Sequence, residues 1–139
     1  IRNHLLARNS PCQVITTPGV IPRIRSQDNF RIPDLGVTCT PYREEEYDVA
    51  NPVLVIEILS PSNRAETWLN VWAYASIPSV QEILVVDSTS VAAELLRRDA
   101  DGNWPARAER VTEGSISLTS IDMAIPIDAA YRGTRLAPP

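Results

Sequence analysis

An α/β fold, with a mixed sheet around one helical crossover and helices flanking it, is what this sequence predicts. Three features carry the prediction. Pro52–Leu59, PVLVIEIL, is a near-continuous apolar run of the kind shown by strands buried on both faces. Residues 82–88, EILVVDS, form a second such run. Between them lies one segment with helical periodicity, opened by the cap-forming SPSN and closed by Pro78. Strand, helix and strand in that order make a right-handed crossover with the two strands parallel.

The other elements follow from pattern and punctuation. IRNHLLARN at the start is helix-like. Residues 12–20, CQVITTPGV, and 22–26, PRIRS, are expected as early strands with a turn at Pro18-Gly19. Residues 31–40, RIPDLGVTCT, alternate as a strand does, with Pro33 at an edge or start position. PYREEEYDVAN is a polar, acidic connection. The central helix is expected over residues 64–75, with Asn63 and Glu66 spaced as a capping box and Pro78 preventing continuation. On a helical wheel Trp68, Val71, Trp72 and Ala75 share one face, which predicts core packing, while Glu66, Asn70 and Tyr74 line another. VAAELLRRD, a DADGN turn and WPARAERV come next, then the mixed tail SISLTSIDMAIPIDAAY and a loose RGTRLAPP.

The totals bound the function. At 139 residues the chain is one domain, residues 1–139, with room for a real core. It opens on Ile1 rather than Met, so a further N-terminal segment is expected upstream. No apolar run approaches ~20 residues, which predicts no membrane span. The net charge of −4 argues against a broad grip on phosphate backbones but leaves room for a local basic groove. All 13 basic residues are arginine, so no lysine can act as a base or charge stabiliser. Cys12 and Cys39 lack metal-ligand spacing and are read as two reduced, half-buried thiols of a cytoplasmic protein. With His4 the single histidine, a zinc site and a Ser-His-Asp triad have little support.

The residue that needs explaining is Glu57, in the middle of the apolar run. Burying a lone carboxylate costs several kcal/mol unless it is paired or protonated. If residues 31–40 and 52–59 form an antiparallel pair with Cys39 opposite Pro52, Asp34 falls directly opposite Glu57. Both then point to one face, and like charges so placed need a cation between them. Gly36 beside Asp34 is expected to leave that face open to a metal and a phosphate. The alternative is structural: Asp34 caps the strand start and Glu57 pairs with an arginine.

The ordered fragments Pro33-Asp34, PVLVIEILSPSN, Tyr74, IPSVQEILVVD and the DGNW turn resemble the Uma-type restriction endonucleases of the PD-(D/E)xK nuclease superfamily. The likeness runs over about residues 12–131. It implies a restriction-endonuclease-like fold and a magnesium-dependent (or manganese-dependent) endonuclease site acting on DNA. Carried over, Asp34 and Glu57 are metal ligands with the Ile58 carbonyl as a third. The superfamily's lysine, two residues after the second acid, falls on Leu59. The family's helical lysine, four residues before a tyrosine, falls on Asn70, an amide that can orient water or phosphate but carries no charge. Arg64 is then the only nearby cationic substitute, with Arg64 and Tyr74 as substrate contacts. Glu66 is a rim candidate, Gln27 and Asp28 could also rim the site, and the REEEYD loop could lend a further ligand. Ser60 and Ser62 are explained as helix caps. A nuclease-fold module that binds DNA or protein without catalysis stays open as the alternative, as does a homodimer paired through sheet edges.

Overall fold

The computed structural model describes residues 1–24, 29–43 and 45–137. A short helix α1 (Arg2–Ala7) precedes strands β1 (Gln13–Thr16), β2 (Leu35–Thr38) and β3 (Pro52–Leu59). Helix α2 (Arg64–Tyr74) leads to β4 (Glu82–Asp87), β5 (Ala93–Arg97) and β6 (Glu109–Val111). A hairpin of β7 (Ser115–Leu118) and β8 (Met123–Pro126) and the single-turn helix α3 (Ile127–Ala130) complete the chain.

The first six strands form one sheet in chain order, and β7 pairs with β8 in a second, two-stranded sheet. Only β3 and β4 run parallel; every other pairing is antiparallel. The parallel pair is joined by α2, as the apolar runs on either side of it predict. No helix of the described residues is long and apolar enough to cross a membrane.

Alternation along β3 divides the core. Leu54 and Ile56 face a cluster with Val37, Leu84 and Leu95, covered by Leu5 of α1 and by Ile116, Leu118, Ile127 and Tyr131 of the hairpin and α3. Val55 and Leu59 face the other way, against Val71, Tyr74, Ile77 and Val80. Both faces of the central strands are therefore covered, which is why β3 needs an apolar residue at almost every position.

The hairpin is fastened by a buried acid. Glu82, with no exposed surface, accepts from Arg97 Nε at 2.7 Å and from the backbone N–H and hydroxyl groups of Thr119 and Ser120. Burial alone would raise its pKa, but the bonds from Ser120 and Arg97 outweigh that and hold it below the ordinary carboxylate range.

Several expectations change. Cys12 and Cys39 form a disulfide rather than two free thiols. The register of β1 on β2 pairs Gln13 with Thr38, and one step further along it Cys12 meets Cys39. In the 22–26 segment Pro22, Arg23 and Ile24 form no strand, and residues 25–26 lie outside the described residues. Trp72 is 48% exposed rather than packed; the buried line of α2 is Thr67, Val71 and Tyr74, with Trp68 half-buried beside it. The Asn63–Glu66 capping box does not form, because the Asn63 side chain turns back to the Ser60 N–H and the Ile58 carbonyl. Ser60 and Ser62 bond to each other instead of capping the helix.

Candidate functional site

Where β2 meets β3, Leu35 pairs with Ile56, Gly36 with Val55 and Val37 with Leu54, the register that sets Asp34 opposite Glu57. Its expected anchor differs: an irregularity between Val37 and Thr38 makes Thr38, not Cys39, the partner of Pro52. Asp34 itself stands one residue before β2, half-buried. Leu35 and Val37 pack on the hairpin side, so Asp34 and Gly36 share the α2 side with Glu57.

Glu57 is only 7% exposed. Its Oε1 accepts the Tyr74 hydroxyl at 2.6 Å, and among the described residues no arginine pairs with it. Among the described residues, then, the arginine pairing of the structural alternative does not form. Burial pushes the Glu57 carboxyl up to about 7; the Tyr74 bond opposes this, and the neighbouring Asp34 carboxylate adds to it. The Tyr74 hydroxyl is pushed above its ordinary range, first by burial and then by Glu57. Glu82 and Glu57 thus meet burial in opposite ways. One is surrounded by donors, whereas the other has a single hydroxyl and a second acid for company.

Asp34 is held in place. The Ile58 N–H donates to its Oδ2 at 2.7 Å, and Thr17 donates to its backbone carbonyl at 2.9 Å. Thr17 sits at φ 47°, a left-handed conformation that a β-branched residue rarely adopts. Such strain costs on the order of 1–3 kcal/mol and persists only where the surroundings enforce it. The Ile58 carbonyl faces Asn63 Nδ2 at 3.3 Å, a long bond that an ion could replace.

The expectation of an open face at Gly36 is overturned. A Cβ there would meet Pro18 Cγ at 2.8 Å, so Pro18 already covers the position. Asn70 lies one turn before Tyr74 on α2 and lines a cavity of about 460 Å³ with Glu66, Leu69 and the segment Phe30, Arg31, Ile32. Arg64 is exposed at the start of α2 and forms no ion pair among the described residues. Gln27 and Asp28 lie outside the described residues, as does Glu44. No group of three His, Cys, Asp or Glu side chains converges among the described residues, so the acidic connection adds no third carboxylate there.

One cation close to the site was not singled out from the sequence. Arg31, three residues before Asp34, is near enough to lower the Tyr74 pKa against the other influences. It corrects the expectation that Arg64 is the only nearby cation. The available signal was its closeness in sequence to Asp34 rather than any spacing from Glu57.

The candidate donors, two carboxylates and one carbonyl, are all hard oxygen, a set that fits a magnesium-like ion, which commonly takes one or two carboxylates and leaves its other positions to water and phosphate.

A family model described as Uma2, putative restriction endonuclease, matches residues 1–125. An uncharacterized protein, slr1290, of Synechocystis sp. is 33% identical over 133 residues, spanning 94% of this chain and 68% of that protein. The crystal structure of a putative nuclease belonging to DUF820 from Anabaena variabilis superposes with a TM-score of 0.67 at 18% identity, covering 91% of this chain and 72% of that one.

Proposed function

This chain belongs to the Uma2 family of putative restriction endonucleases, and from that premise we propose that it is a divalent-metal-dependent endonuclease hydrolysing DNA phosphodiester bonds. The observation that carries the reading is Glu57: a buried carboxyl pushed up to about 7, beside Asp34, with no arginine partner among the described residues. A stability role alone does not account for that arrangement, since the same sheet neutralises Glu82 with five donor contacts.

In this reading Asp34, Glu57 and the Ile58 carbonyl would hold magnesium or manganese, and such an ion, when bound, would lower the pKa of a water and stabilise charge at the scissile phosphate. Tyr74 fixes the Glu57 carboxylate through its hydroxyl, and the Ile58 N–H fixes one Asp34 oxygen. Asn70, one turn from Tyr74, orients water or a phosphate oxygen by hydrogen bonding. Arg64, exposed at the helix start, contacts the strand farther out.

The absence of any lysine favours a second reading, a nuclease-fold module that binds nucleic acid or protein without cutting. Incubation with magnesium or manganese on plasmid and single-stranded DNA, beside Asp34→Ala, separates the two. Metal-dependent cleavage lost in the variant supports the nuclease; no cleavage above the variant favours the binding module.

A further inference from the structure

Arg31 is held by its backbone and left unused by its side chain. Its N–H and carbonyl pair with Val20 at 3.0 and 2.8 Å, an isolated bridge that fixes the residue just ahead of Asp34. Its guanidinium donates only to the Phe30 carbonyl, at 3.3 Å, and Nε is buried with no hydrogen-bond partner among the described residues. It joins no ion pair among them either. Other arginines beside the sheet are spoken for: Arg97 by Glu82, Arg110 by Glu94, and Arg98 by four backbone carbonyls.

Nε has no accessible surface for a ligand to reach, but the terminal Nη groups make a single long bond among the described residues and remain open to one. The cavity that Arg31 lines also holds Asn70, a donor, and Phe30, whose ring is half exposed. A phosphodiester with one flanking base satisfies all three: the planar guanidinium grips two phosphate oxygens, the amide donates, and the ring stacks. Glu66 shares the wall, and its charge opposes an anion.

We propose that Arg31, with Asn70, binds a backbone phosphate of the nucleic-acid strand beside the Asp34–Glu57 pair, supplying there the positive charge that no lysine can bring. The inference rests on the nuclease reading for its ligand but makes a separate demand on binding.

The test is fluorescence anisotropy with a labelled single-stranded oligonucleotide, in calcium and in EDTA, across a salt series. The proteins are wild type, Arg31→Gln, Arg31→Lys and Glu66→Gln. Arg31→Gln should bind about tenfold more weakly at low salt. Its plot of log K against log salt should be shallower by about 0.7, one phosphate contact on a single strand. Arg31→Lys should keep the wild-type slope, and Glu66→Gln should bind more tightly. If Arg31→Gln matches wild type in affinity and slope, or if Arg31→Lys loses as much as Arg31→Gln, the proposal is overturned. Cleavage by wild type is scored separately. A salt slope unchanged by Arg31→Gln in a protein that cuts refutes this inference alone, whereas a changed slope in a protein that does not cut supports it while the nuclease reading fails.

Discussion

Replacing Glu57 by glutamine keeps the side chain's shape and its acceptor for Tyr74 while removing its charge. Glu57 has an ordinary carboxyl pKa of 4.5 that burial raises to about 7 in the folded chain. Between those values the folded protein holds a proton that the unfolded chain has released, so stability falls as pH rises through the window. The penalty is absent below pH 4.5. At 1.36 kcal/mol for each pH unit it reaches on the order of 3 kcal/mol by pH 8. Glu57→Gln should therefore match wild type near pH 4 and exceed it at pH 8 by on the order of 3 kcal/mol, or about 10 °C in Tm. Urea unfolding at a series of pH values measures the difference directly, and acids that do not interact with Glu57 cancel between the two proteins. Millimolar manganese at pH 8 should close the gap by stabilising wild type only. A difference that stays flat from pH 4 to 8, or a wild type that gains on the variant as pH rises, would refute the reasoning.

Three further outcomes follow from the same contacts. Tyr74→Phe removes the bond that opposes the rise in the Glu57 pKa, so the pH window in unfolding curves should extend upward, with a loss of about 1–3 kcal/mol at pH 8. Glu82→Gln removes the charge of a buried carboxylate whose partner Arg97 is partly exposed, and should cost about 1–3 kcal/mol at neutral pH by urea unfolding. That acid's contribution is present above its ordinary pKa and fades as pH falls through the lowered folded value, the opposite trend to Glu57. Cys12→Ser should lower stability by about 3 kcal/mol in non-reducing buffer and leave it unchanged in reducing buffer, since the bridge closes a loop spanning 27 positions.

The centre of the fold was legible because its signals are local. Two apolar runs and Pro78 suffice to place β3, α2 and β4, and period-two alternation carries Asp34 and Glu57 to the same side. What escaped depends on distant partners. Tyr74 reads on a wheel as part of a polar face, yet it is fully buried because the Glu57 carboxylate satisfies its hydroxyl. Cys12 and Cys39 meet only through the pairing of β1 with β2, and nothing in their spacing announces it. Pro18 fills the space over Gly36 because Thr17 turns the chain at a positive φ, a conformation its residue type argues against. Arg31 carries no sequence signal for the site because its place there comes from an isolated bridge to Val20 rather than from any periodic pattern.

The most direct measurement is anomalous diffraction from crystals soaked in manganese. One strong peak is expected in contact with a carboxylate oxygen of Asp34 and one of Glu57, near the magnesium-type distance of about 2.0–2.1 Å, with the Ile58 carbonyl nearby. No peak between those two side chains at millimolar manganese, or a peak seated only on other acidic groups, would contradict it.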